Sequence, residues 1–315
     1  MGLDDCFWQD FLALHQLPEA YRGTAEQWFV PLLDDIRQRR SSQRLAKAHP
    51  PPLILGLQGC QGSGKSTFAS FLKGGLCRVA GLKILCLSLD DFYYPRADRL
   101  RLAREVHPLF ETRGVPGTHD IELLQQLLRQ LSAGSPGPLL VPRFDKARDD
   151  RRHDWDTVDP TVLDIVLLEG WCVGTPPQPG EALLAPINAL EAEEDPQGAW
   201  RQRVNEHLAG PYAETFDLVE TLIVFVAPDF TVVSDWRWEQ EQKLLALATS
   251  LPAADRRPIK KEGLQQFLQF YQRLTEWSLK TMPGRADVCF QLDRDRAIVK
   301  VSTQRPPASP EPTAD

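Results

Sequence analysis

The 315-residue sequence lacks any apolar run approaching the roughly 18 residues that a bilayer-spanning helix needs, so no transmembrane segment is expected. It also lacks a basic excess. Lys and Arg number 36 against 43 Asp and Glu, a formal charge of −7, and a nucleic-acid or anionic-membrane partner usually leaves a basic footprint. The segment Met1-Gly2-Leu3-Asp4-Asp5 is acidic and has neither the charged-then-apolar pattern of a signal peptide nor the Arg/Ser-rich look of a transit peptide. Six cysteines, at positions 6, 60, 77, 86, 172 and 289, form no C-x-x-C pair, so reduced thiols are the expectation. No internal repeat is evident. With these absences, 42% hydrophobic residues and length enough for a large core, a cytoplasmic soluble enzyme is the expectation.

What is present begins at Leu53. A short apolar run, Leu53 to Leu57, leads through the glycine-rich stretch Gly59-Cys60-Gln61-Gly62-Ser63-Gly64-Lys65-Ser66-Thr67 into helix-like patterning over 67–79. Gly59, Gly64, Lys65 and Ser66 satisfy G-x-x-x-x-G-K-[ST], which average residue usage would produce by accident on the order of once per hundred chains of this length. The chemistry requires these types. Glycines let successive N–H groups face phosphate oxygens, and the following helix adds its positive end. Lys65 is expected to reach the β- and γ-phosphates of ATP, with the Ser66 hydroxyl on Mg²⁺. Cys60 is the one thiol whose position suggests sensitivity to oxidation or alkylation, although a small residue that simply fits the loop is the plainer reading.

Around this stretch the pattern alternates. Residues 4–48 read as amphipathic helices carrying Phe7, Phe11, Leu12, Trp28, Phe29, Leu32, Leu33 and Ile36, expected as packing on the main domain. A second strand over 82–89 ends in Asp90-Asp91, where parallel sheets place ligand-facing acids, to accept a hydroxyl proton or hold Mg²⁺; turn capping is the competing role. Residues 96–118 read as a polar loop, and 121–131 as a helix capped by Thr118 or Asp120. In the charge-dense run 143–154, Arg143 and Lys146 are candidates to touch substrate, against an ordinary solvated loop. The apolar run 162–168 ends in Glu169, a Walker-B-like acid for Mg²⁺. Helices are expected over 183–194, 197–209, 230–248 and 261–282, and strands over 222–226, 288–292 and 297–301, the last two as a hairpin. Arg237 is a candidate lid arginine, with pairing to Glu241 as its alternative.

The expected fold class is α/β: a doubly wound, mostly parallel sheet of the P-loop NTPase kind, with an N-terminal helical extension over 1–49, the main domain over 50–303 and a disordered tail over 304–315. Neither an [NT]-K-x-D nor an L-S-G-G-Q motif occurs, which sets aside GTPases and ABC ATPases and leaves metabolite kinases.

The phosphate loop, then Leu89-Asp90-Asp91-Phe92-Tyr93, Arg113-Gly114-Val115-Pro116-Gly117-Thr118-His119-Asp120, Pro142-Arg143-Phe144-Asp145-Lys146 and Leu168-Glu169-Gly170-Trp171 together resemble the D-glycerate 3-kinase family, related to uridine kinase, phosphoribulokinase and bacterial pantothenate kinase. The resemblance covers roughly residues 50–300. It implies in-line transfer of the γ-phosphoryl of ATP to a hydroxyl of a small carboxylic acid. Asp90 would be general base, and Asp90, Tyr93, Arg113, His119, Arg143 and Lys146 the substrate contacts. Lys65, Glu169 and Arg237 would assist catalysis, and Ser66, Asp90 and Glu169 hold Mg²⁺. Other acceptors, such as pantothenate or a nucleoside, and an ATP-binding regulatory protein are the alternatives.

Overall fold

The computed structural model describes residues 2–47, 49–134, 137–248 and 261–304. Three helices open it: α1 (Asp5–His15), α2 (Ala20–Trp28) and α3 (Val30–Ala46). Then follow β1 (Leu53–Gly59), α4 (Lys65–Ala80), β2 (Ile84–Ser88) and a 3-10 turn, Leu89–Phe92. Next come α5 (Arg96–Glu105) and α6 (Ile121–Ala133). Two short antiparallel ribbons pair β3 (Leu139–Val141) with β6 (Asp156–Val158) and β4 (Phe144–Asp145) with β5 (Asp150–Arg151). The chain continues through β7 (Ile165–Gly170), α7 (Ala189–Glu194), α8 (Ala199–His207), a π-helical turn Leu208–Tyr212, α9 (Ala213–Phe216) and β8 (Thr221–Val226). It closes with α10 (Phe230–Ala248), α11 (Lys261–Thr281), β9 (Val288–Leu292) and β10 (Ile298–Thr303).

The central sheet has the order β10-β9-β8-β1-β7-β2, and only the β9–β10 pair is antiparallel. Its middle strands are buried along nearly their whole length, as parallel strands covered on both faces must be. Two apolar clusters cover the faces. One joins Phe68, Phe71, Phe225 and Phe290 to Trp8, Phe11 and Phe29, so the N-terminal helices share the main core. The rings pack edge-on and stacked at 4.7–6.5 Å. A buried charge fixes the same helices: Asp164, just before β7, accepts from Arg40 Nε at 3.0 Å, from Arg44, and from the Lys83 amide at 3.0 Å.

The stretch 96–118, expected as a loop, contains α5 and a 3-10 turn, Pro108–Glu111. Its helix has no apolar stripe for a reason. The residue it buries most is Arg99, 1% exposed, whose guanidinium donates to the carbonyls of Tyr94, Glu111 and Asp149. The expected helix over 183–194 is reduced to a 3-10 turn, Gly180–Leu183, and α7. The expected tail lies, but for Gln304, outside the described residues. Among the described residues no helix is long and apolar enough to cross a membrane.

Candidate active site

Strand order gathers the candidates. β7 lies between β1 and β2 in parallel register, with Leu57 and Ser88 both opposite Glu169. Neighbouring strands are about 4.8 Å apart, so the ends carrying the phosphate loop, Glu169 and Asp90 sit side by side, spanning about 10 Å. This is the carboxyl edge where open α/β sheets bind ligands.

The loop after β1 turns through two left-handed glycines, Gly62 (φ 77°) and Gly64 (φ 88°), and delivers Lys65 and Ser66 to the first turn of α4. Gly59 must be glycine, because a Cβ there would lie 2.6 Å from Ser63 Oγ. Ser63 Oγ in turn donates to the Cys60 carbonyl at 2.8 Å and closes the turn. Cys60 is 5% exposed, and burial pushes its thiol up to about 12, so the plainer reading of this residue, a small side chain that fits, is the better one. The Gln61 side-chain carbonyl oxygen is buried without a partner beside it.

Asp90 is held by the 3-10 turn after β2, whose Leu89 and Phe92 are fully buried anchors. One carboxylate oxygen meets Lys146 Nζ at 2.7 Å, and the other accepts from the Tyr93 hydroxyl at 3.1 Å. Burial would push this carboxyl up, but the charges of Lys146 and, farther off, Lys65 hold it down to about 2. Asp90 is therefore an ionised acceptor on the site's edge, its side chain 30% exposed. Asp91 has a structural partner instead: it accepts from Arg143 Nη1 at 2.7 Å and the Phe144 amide at 3.1 Å.

Arg143 is correspondingly committed. Its Nε donates to Asp156 at 2.8 Å as well, so two carboxylates already neutralise it. It braces the ribbon that carries Lys146 and differs from the substrate anchor expected above. Arg113 pairs with Asp149 and lies over the Phe144 ring, 25% exposed. Lys146 is the more open cation, 63% exposed.

His119 is buried and stacks on Tyr93 at 4.3 Å. Burial pushes its imidazole down to about 3, so it is neutral. Its Nδ1 lies 2.6 Å from the Tyr212 hydroxyl, which accepts from the Gly117 amide at 3.1 Å. If Tyr212 donates to Nδ1, one buried group, the Nε2–H, lacks a partner; if Nδ1 donates, both the Tyr212 proton and the Nε2 lone pair lack one. The first arrangement leaves fewer orphans, so His119 carries its proton on Nε2.

For Mg²⁺ the fit is favourable. Glu169 Oε2 is buried without a partner at the end of β7, and Ser66 stands in the first turn of α4, after the loop that leaves the neighbouring strand β1. Among the described residues no group of three or more His, Cys, Asp or Glu could hold a metal by itself. Mg²⁺ in kinases uses one or two protein groups plus substrate phosphates, so this donor set suits it. Arg237, on α10, donates to Gln240 at 2.9 Å, and its charge acts on the Tyr271 hydroxyl. The Glu241 side chain, its alternative partner, lies outside the described residues.

Two contributors were not foreseen. Tyr271 on α11 counted as one apolar stripe residue, yet its hydroxyl donates to the Arg113 carbonyl at 3.2 Å and sits in the field of Asp90. Arg151, read as loop charge, is 10% exposed and ties Asp120 to the carbonyls of Phe92 and Tyr93. It thereby fixes the Asp90 turn against the His119 segment.

No protein-family model matches the chain. It is 33% identical over 215 residues to the uncharacterized kinase mug58 of Schizosaccharomyces pombe, covering 65% of this chain and 75% of that protein. It is 31% identical over 202 residues to the chloroplastic D-glycerate 3-kinase of Arabidopsis thaliana, 61% of this chain but 41% of that protein. The D-glycerate 3-kinase structure from Cryptococcus neoformans superposes with a TM-score of 0.71 at 24% identity, covering 87% of this chain and 98% of that one. The order of its motifs, the placement of their residues along one sheet edge and the match to three quarters of mug58 agree, and the chain belongs to the P-loop kinase family that includes mug58, with a plant D-glycerate 3-kinase among the proteins it resembles.

Proposed function

We propose that this kinase transfers the γ-phosphoryl group of ATP to a hydroxyl of D-glycerate, giving 3-phosphoglycerate. The observation that carries the reading is Asp90: an ionised carboxylate beside an exposed cation, two strands from the phosphate loop. Asp90 takes the proton of the acceptor hydroxyl as its oxygen attacks the γ-phosphorus. Lys65, and Arg237 from α10, offset charge on the transferring oxygens. Mg²⁺, held by Ser66 and Glu169, would neutralise charge on the β- and γ-phosphates. Lys146 and Arg113 hold the acceptor carboxylate, and Tyr93 and the Nε2–H of His119 orient it. A pair of cations at the acceptor side favours an anionic alcohol over a nucleoside. The plant and fungal relatives named D-glycerate 3-kinase favour glycerate among such alcohols.

The test is ADP release from Mg-ATP by the purified protein with D-glycerate, L-glycerate, pantothenate or uridine. D-glycerate should stimulate turnover far above the acceptor-free rate, and the others should not. Stimulation by pantothenate instead would move the acceptor assignment, and no stimulation by any of them would remove it.

A further inference from the structure

A loop that turns its N–H groups inward toward phosphate must turn the matching carbonyls outward, and a carbonyl shut away from water needs a donor. The Gly62 carbonyl finds one far along the chain: Arg296 Nε donates to it at 2.8 Å. Arg296 sits in the β9–β10 turn with φ 66°, a left-handed conformation that non-glycine residues seldom adopt unless their surroundings impose it. Its guanidinium also binds Glu239 of α10 at 2.7 Å and lies 5.0 Å over the Trp236 ring. Trp236 Nε1 completes the circuit by donating to the Arg294 carbonyl at 2.8 Å. Trp236 is 1% exposed and presses on the loop itself, since a Cβ on Gly62 would lie 2.6 Å from its own Cβ. One guanidinium therefore joins the crest of the phosphate loop, the hairpin turn and the helix that carries Arg237.

We propose that Arg296 is a positioning residue for nucleotide binding: it holds the Gly62 peptide with its carbonyl outward, so that the loop is already shaped for the phosphates of ATP. The proposal rests on the nucleotide-binding reading and not on the identity of the acceptor. A guanidinium suits the place because its planar, spread donors serve a carbonyl and a carboxylate at once while its face lies on an indole; an ammonium has three donors but neither that reach nor a flat face to stack.

The experiment is titration calorimetry of Mg-ADP binding to wild type, Arg296→Met, Arg296→Lys and Glu239→Gln, with a thermal melt of each. Arg296→Met should weaken Mg-ADP by about tenfold to a hundredfold, as loss of a charged hydrogen-bond donor does, and Arg296→Lys should recover part of that. Glu239→Gln keeps the Gly62 contact and should stay within about threefold of wild type. In turnover assays with whichever acceptor is active, KM for ATP should rise in Arg296→Met while KM for the acceptor holds. Mg-ADP affinity within about twofold of wild type in a folded Arg296→Met overturns the proposal. So does weakening that only tracks the unfolded fraction. If Arg296→Met fails to fold, the comparison of the other two decides, since the proposal requires Arg296→Lys to bind more weakly than Glu239→Gln. A wild-type protein that does not bind Mg-ADP would instead remove the nucleotide reading beneath it.

Discussion

Asp90 is the residue on which chemistry and charge meet. Asp90→Asn preserves its shape and can still pair with Tyr93, but cannot accept a proton; turnover should fall by roughly 10²- to 10⁴-fold with Mg-ADP affinity little changed. Turnover that survives this change would show that another group takes the proton. The low pKa also acts on stability. Its ordinary value is 3.8 and its folded value about 2, so the unfolded chain binds the proton more readily between the two. The resulting stabilisation is complete above about pH 4 and lost as pH falls toward 2, and Asp90→Asn should flatten the melting-temperature profile across that window. Lys65, Ser66, Asp90 and Glu169 were legible because their place follows from chain order alone: a loop or a strand end. Arg143 was not, because its partners Asp91 and Asp156 meet it only in three dimensions.

Among elements, legibility followed the apolar stripe. α6 and α11 carry clear ones, and were expected within two residues of where they lie. α5 turns about a buried arginine, and nothing in the spacing of Leu100 and Leu102 announces a helix. The junction of α11 with the acceptor-side segment gives a direct test. Gly114 has φ 144°, and a Cβ there would fall 2.1 Å from the Tyr271 hydroxyl. Gly114→Ala must therefore shift Arg113 or α11, and should cost about 1–3 kcal/mol in a denaturant melt, with turnover lowered beyond the loss of folded protein. Full activity at unchanged stability would mean that this junction yields without cost.

At the scale of the molecule, the N-terminal helices are bound by both core and charge. Arg40→Met leaves Asp164 buried with only the half-exposed Arg44 and an amide for partners, and should destabilise the fold by about 3 kcal/mol, read as a lower denaturation midpoint. A midpoint within error of wild type would show that Arg44 suffices. The Phe-rich stripe of these helices was legible, and so was their packing role. That Asp164 would anchor them was not, since Asp164 reads as the single polar interruption of an apolar strand. One pairing at the sheet edge bears on the economy of the cell. In the proposed reaction, the hold of Lys146 on Asp90 would keep the carboxylate a poor acceptor of a water proton and so spare ATP from idle hydrolysis. An acceptor anion that engages Lys146, as proposed, would loosen that hold, so that Asp90 would gain basicity as the molecule to be phosphorylated arrives.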